Sequence, residues 1–198
     1  MSSKDNTRER LLDAAEKVFA EKGYHEAAVD EIVLQSGTSK GSVYFHFPSK
    51  ESLFLAVMDH LSARLLKRIE RDVERETDPT ERLRVALRTT VETLCKHRTL
   101  ARLLLSKGQS MGPAFVQKRQ EVFSRFAMYT KGLMDEALGQ SLQSIDTEVA
   151  AYALLGAVSE LVTRWLESGR PHPVREAMPT LETLVLRGIG LTKAEARS

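Results

Sequence analysis

Between Thr38 and Lys50 the sequence reads TSKGSVYFHFPSK. Thr38, Ser39 and Ser42 bring hydroxyls, Lys40 and Lys50 ammonium groups, Tyr44 a phenol and His46 an imidazole. All of these can donate hydrogen bonds to anionic oxygens, and phosphate is the ligand such a set suits. Gly41 has no side chain, so the backbone beside it can come close to a ligand. A helix opening near Ser39 would add its unpaired amides and the positive end of its dipole. Val43 and Phe47 share a face at helical spacing and belong to the core, which leaves Phe45 to meet an apolar group such as a thymine methyl.

Other chemistries find little support. No nucleophile, base and acid stand in a usable arrangement, and Gly188-Ile189-Gly190 is too short for a phosphate loop and has no strand after it. The sequence therefore predicts no enzyme, no catalytic residue and no cofactor. The single cysteine, Cys95, excludes an intrachain disulfide and a multi-cysteine metal site. His46 has no His or Cys at ligand spacing, so no metal is expected. Residues 1–60 carry 7 basic and 10 acidic side chains against 22 and 17 in the remainder. Bulk charge thus marks no nucleic-acid face; a few well-placed groups must do the work. Met1 to Arg10 is polar and lacks the apolar core of a secretory signal, and runs such as Ala150 to Val158 fall short of the ~20 residues that span a bilayer. The expectation is a cytoplasmic protein with no membrane partner.

Apolar residues recur at helical spacing through most of the 198 residues, and strict alternation is scarce. An all-α fold of about nine helices follows. Leu11, Leu12, Ala15, Val18 and Phe19 form a first stripe, with Asn6 and Glu9 as its capping pair and Gly23 as its stop. Short helices are predicted around Val29–Val33 and Ser39–Phe45, separated by the turn Ser36-Gly37-Thr38. Ser49 should cap a long helix reaching about Glu76, and Asp78-Pro79-Thr80-Glu81 should start another. Further helices are expected at Leu100–Leu105, from Pro113 to Gly139, from Asp146 to Glu167 and from Pro173 to Arg187, the last kinked or delayed by Pro179. The charge-dense run Arg64 to Glu76 mixes both signs and reads as a solvated, ion-paired helix face.

A short helix, a glycine turn and a second helix with donors at its leading end make a helix-turn-helix. The block from Ser36 to Leu53, SGTSKGSVYFHFPSKESL, with Ala14-Ala15, Phe19, Gly23-Tyr24 and Ile32 before it, resembles the N-terminal domain of the TetR family of bacterial regulators. Motif-level similarity covers roughly the first quarter of the chain. Two positions depart from the family pattern. Ala27 and Ala28 stand where a Thr or Ser often precedes the second helix, which would leave that phosphate contact to backbone amides. Val33 stands where Ala is common, a small packing change.

The resemblance implies a reading domain over 1–50 and a helical effector-binding and dimerisation domain over 51–198. It implies a transcriptional repressor that binds double-stranded operator DNA as a homodimer, because one recognition helix reads only a few base pairs. An activator, or an architectural DNA binder without an inducer, is the alternative on the same fold. The last two helices suit the dimer interface through Ala153, Gly156, Ala157 and Glu160 on one side of the first and Leu181, Leu184 and Val185 on the second. Candidate pocket residues are Leu94, Cys95, Leu104, Met111, Phe115, Phe123, Phe126, Met134, Tyr152 and Trp165, each of which taken singly also reads as core. Their character favours a hydrophobic or amphipathic effector: a lipid-like acid, an acyl thioester or an aromatic drug. Arg125, Lys131 and Arg164 are available to an anionic head group, and read equally well as surface charges.

Overall fold

The structure, a computed structural model, describes residues 3–105, 112–139 and 145–191. Among these the chain forms nine α-helices and no strand: α1 (Ser3–Glu26), α2 (Val29–Ser36), α3 (Lys40–His46), α4 (Lys50–Val73), α5 (Pro79–Lys96), α6 (Arg98–Leu105), α7 (Pro113–Leu138), α8 (Thr147–Ser168) and α9 (Met178–Gly188).

Most boundaries follow from side chains that satisfy the first orphan amides. The Ser39 hydroxyl accepts from the Ser42 amide at 3.1 Å, and Ser49 and Ser52 exchange hydrogen bonds at 3.0 Å across the start of α4. Asp78 accepts from the Glu81 amide at 2.9 Å, and Asp146 from the amides of Glu148 and Val149. Each such cap contributes about 1 kcal/mol. The first helix departs from expectation: it is already under way at Ser3, so Asn6 lies inside it rather than capping it. Gly23 does interrupt it, with φ 76° and ψ 173°, and Tyr24 to Glu26 continue beyond the kink. Near the other end, Pro179 delays the last helix as its missing N–H requires. Pro173–Ala177 forms a π turn, and α9 begins only at Met178 with Pro179 in its first turn.

The core is contiguous from one end of the molecule to the other. Its spine is α4, which buries Leu53, Phe54, Val57, Met58, Leu61, Leu65, Ile69 and Val73 along a single stripe. This helix packs against α1, α5, α6 and α7, and α1 also touches α6. Phe54 joins the two halves: its ring meets Phe19 edge-on at 4.9 Å and Tyr24 at 5.1 Å on one side, and lies 5.9 Å from Phe115 of α7 on the other.

The turn between α2 and α3 rests on Gly37, which adopts φ 62° and ψ 33°. Arg10 clamps the same corner by donating to the Ser36 carbonyl at 2.6 Å, and its guanidinium lies 3.1 Å from where a Cβ on Gly37 would sit. Gly37→Ala is therefore expected to lower unfolding free energy by about 1–2 kcal/mol, from left-handed backbone strain and the crowded guanidinium. Chemical denaturation of the two proteins checks this; equal midpoints would show that the corner is not under constraint.

Candidate nucleic-acid interface and effector cavity

α3 has two unlike faces. Val43 and Phe47 are 1% and 4% exposed and lock the helix into the core, whereas Tyr44 is 45% and Phe45 71% exposed. The leading end, from Ser39 to Gly41, is exposed. Gly41 is informative here because the protein's own packing does not require it: a Cβ would meet only the Ser39 hydroxyl, at 3.9 Å. Glycine inside a helix costs about 1 kcal/mol relative to alanine, so its use at an open surface position fits a close approach from outside.

The structure assigns several predicted donors to internal duties. The Ser39 hydroxyl oxygen accepts the cap hydrogen bond, which does not use its O–H, and the Thr38 and Ser36 hydroxyls share a hydrogen bond at 2.8 Å. Lys40 reaches back to Asp30 of α2, with Nζ 2.7 Å from Oδ1, and both side chains are largely exposed. The hydrogen bond to Asp30, then its charge, holds the Lys40 pKa above the ordinary lysine value, so the group stays cationic. Lys50 donates to the His25 carbonyl at 2.9 Å and sits 5.0 Å over the Tyr24 ring, bracing the start of α4 against the end of α1. His46 is half-buried, its ring 5.2 Å from Phe45 and 6.2 Å from Phe47.

Sequence reasoning missed Asp30 and Arg10, whose partners lie ten and twenty-six residues away across turns. At the start of α2, Ala28 supplies no capping side chain. Glu31 accepts from the Ala28 amide at 3.4 Å, and its pKa is lowered chiefly by its hydrogen bond to Lys22.

Away from this surface, α4, α5, α6, α7 and α8 enclose a cavity of about 440 Å³ including its mouth. Its lining is almost wholly apolar, with Leu65, Leu94, Leu104, Phe123, Phe126 and Val158 prominent. A second space of about 390 Å³ shares Thr90, Phe126, Leu155 and Val158 with it and runs on toward Ile69, Leu83 and Tyr129. The space inside them open to a water-sized sphere is only about 50 Å³ and 20 Å³, well below the roughly 300–1,000 Å³ of a formed small-molecule site, so a ligand must part the helices to enter.

Of the ten sequence-based candidates, Leu94, Leu104, Phe123 and Phe126 line this cavity. Phe115 packs against Phe54 instead, and Trp165 is buried with Arg98 4.4 Å over its ring and His172 5.3 Å away. Cys95 is half-buried beside the Val174 backbone, and burial pushes its thiol pKa up. Tyr152 is exposed and shares a hydrogen bond with the Ser124 hydroxyl at 3.0 Å; Met111 lies outside the described residues. Arg125 is 3.7 Å from Asp59, Lys131 pairs with Asp135 and Arg164 is exposed, and none of the three lines the cavity.

Met134 lines a different feature, a groove of about 650 Å³ between α8 and α9. Ala153 and Ala157 form one wall and Leu184, 64% exposed, stands on the other. Gly156 and Glu160 are exposed beside them on α8, Val185 is half-buried, and Leu181 is buried at the groove floor. The most apolar stretch of α8 is long and apolar enough to cross a membrane by composition, yet only 28% of it is buried within the protomer.

The family model described as Bacterial regulatory proteins, tetR family, matches residues 11–57, and one described as Tetracyclin repressor-like, C-terminal domain, matches residues 76–189. A fatty acid metabolism regulator protein of Bacillus subtilis is 23% identical over 91% of this chain and 94% of its own length. Among solved structures, the transcriptional regulator FadR from B. subtilis in complex with stearoyl-CoA aligns with a TM-score of 0.79 at 21% identity, over 93% of this chain and 99% of that one. A TetR-like transcriptional regulator from a Rhodococcus species aligns with a TM-score of 0.69 at 30% identity, over 92% and 94%.

Lys40→Ala and Tyr44→Phe are expected to weaken binding to a duplex that the chain selects from a random pool, with helicity unchanged by circular dichroism. The salt dependence of Lys40→Ala should fall by about 0.9 in log–log slope, the value of one phosphate contact. Asp30→Asn should tighten binding, because it releases Lys40 and removes a repelling carboxylate. Unchanged affinity in all three would remove α3 from the interface.

Proposed function

The chain belongs to the tetR family of bacterial regulatory proteins, DNA-binding transcriptional regulators with an N-terminal helix-turn-helix, and from that membership we propose a ligand-released repressor. In this reading a homodimer holds a palindromic operator, and a long-chain acyl compound that enters and widens the body cavity sets it free. The observation that carries the proposal is α3: its inner face is fixed in the core while its leading end and the Tyr44–Phe45 side stand in solvent.

Residues 1–50 act as the reading unit and 51–198 as the body, with α4 beginning at their junction. The open α8–α9 groove, the small residues Ala153, Gly156 and Ala157, and an apolar stretch of α8 that is only 28% buried support a second copy seated there. Two recognition helices must then meet half-sites about 34–36 Å apart, or a multiple of that. The apolar lining of the cavity and the stearoyl-CoA in the B. subtilis relative support an acyl thioester or fatty acid over an aromatic drug. A ligand among α4 to α8 presses on Leu65 and Ile69, and α4 carries that displacement to the reading unit. Release requires tighter ligand binding in the DNA-free state, and linkage makes the coupling reciprocal.

Adding stearoyl-CoA to the protein–operator complex should release the duplex, and a footprint that persists at saturating ligand would refute the repressor–inducer reading. Leu155→Trp should fill both compartments, keep operator affinity and abolish release. Gly156→Arg should give monomers by analytical ultracentrifugation, with operator affinity lost along with the paired half-site contact. A stable Gly156→Arg dimer would place the interface elsewhere.

A further inference from the structure

Next to the apolar cavity lies a crevice of mixed polar and apolar lining, about 460 Å³ including its open mouth, formed where α1 meets α4, α5 and α6. Its walls carry Glu16, Arg64, Arg68, Thr93 and His97. Leu65 lines both spaces, so one side chain is common to the apolar cavity and the charged crevice. On α6 the relation repeats one turn apart: Leu100 faces the crevice and Leu104 the cavity.

Two polar atoms in this crevice lack hydrogen-bond partners. Thr93 is 95% buried, at 5% exposure, and its hydroxyl makes no hydrogen bond, whereas Thr90 on the same helix donates to the Ala86 carbonyl at 2.7 Å. The buried Nε of Arg68 is likewise unpartnered, standing 3.9 Å from Asp72, beyond hydrogen-bond reach. Buried donors of this kind cost free energy unless something accepts from them. Arg64 is held at 3.3 Å by Glu16, which ties α4 to α1. The lining thus offers two guanidinium groups, a hydroxyl and an imidazole, with Glu16 beside Arg64 and Asp72 loosely paired to Arg68 as the opposing carboxylates.

We infer that this crevice is an anion subsite, which receives the oxyanion head of an amphipathic effector whose alkyl chain occupies the adjoining cavity past Leu65. The inference rests on the acyl-effector reading above and adds where the head group binds and what it displaces. Arg68 and the Thr93 hydroxyl donate to the head group, and Arg64 exchanges Glu16 for it. That exchange removes a contact between α1 of the reading unit and α4, so binding the head group loosens the reading unit directly. A carboxylate and a phosphate share this chemistry.

Calorimetric titration of the full chain with palmitate, palmitoyl-CoA, coenzyme A alone and hexadecanol tests the assignment. The native protein should prefer a charged ligand over hexadecanol, and the better of palmitate and palmitoyl-CoA identifies the head group. Arg68→Gln and Thr93→Val should each weaken the charged ligand by about tenfold and leave hexadecanol unchanged. Glu16→Gln should strengthen the charged ligand alone, by removing the competing carboxylate. Native affinities in all three variants would overturn the subsite while leaving the cavity reading intact. Loss of discrimination in Arg119→Gln, whose guanidinium lies 4.7 Å over Phe123, but not in the Arg68 and Thr93 variants, would move the head group to the other wall and overturn it too. Failure of every long-chain ligand to bind would overturn both readings.

Discussion

A helix of seven residues is not stable alone in water, because nucleation costs more than so few hydrogen bonds return. α3 exists because Val43 and Phe47 are sunk in the core formed by α1, α2 and α4 and because Ser39 caps it. This anchoring also decides orientation. With positions 43 and 47 pinned inward, the 3.6-residue period turns Tyr44 and Phe45 outward, and Gly37 with Arg10 fixes where the leading end points. Exposure of this face to solvent is therefore a consequence of packing rather than of surface charge, which is net acidic over residues 1–60.

The same logic joins recognition to the body. α4 belongs to both parts: Phe54 near its start engages Phe19 and Tyr24, while Leu65 and Ile69, about three and four turns later, border the apolar spaces. At 1.5 Å per residue, Leu65 lies roughly 16 Å from Phe54 along a single rigid element. A packed helix responds to a wedge by tilting or sliding as a unit, since its interior contacts leave little room for gradual deformation. Distance between the cavity and α3 is then no obstacle to coupling.

The sequence displayed features that one segment specifies by itself. Capping side chains at Ser49 and Asp78, the glycine turn and the split between Val43–Phe47 and Tyr44–Phe45 are all local, and the structure has them at the expected places, while the caps at Ser39 and Asp146 emerge only in three dimensions. The start of α1 was missed because several residues before Asn6 tolerate a helix and no strong stop precedes them. The cavity was legible only in part, for a physical reason. A void is a shortfall of volume among five helices, so modest residues such as Thr90, Leu155 and Val158 define it as much as aromatics do. Trp165 and Phe115 looked like pocket residues in one dimension but are claimed by Arg98, His172 and Phe54 in three. Lys40 and Lys50 likewise carried a legible charge and illegible partners.

The groove between α8 and α9 bears on how much of this protein a cell must hold. Under the proposed dimer, a fold whose apolar face is filled by a second copy draws part of its stability from mass action, so its melting temperature should climb with its own concentration. At the few copies typical of a gene switch, the subunits would separate more readily, and a cognate duplex that clasps two of them at once would itself act as a stabilising ligand. Scarcity would then make the target site part of what keeps the protein folded.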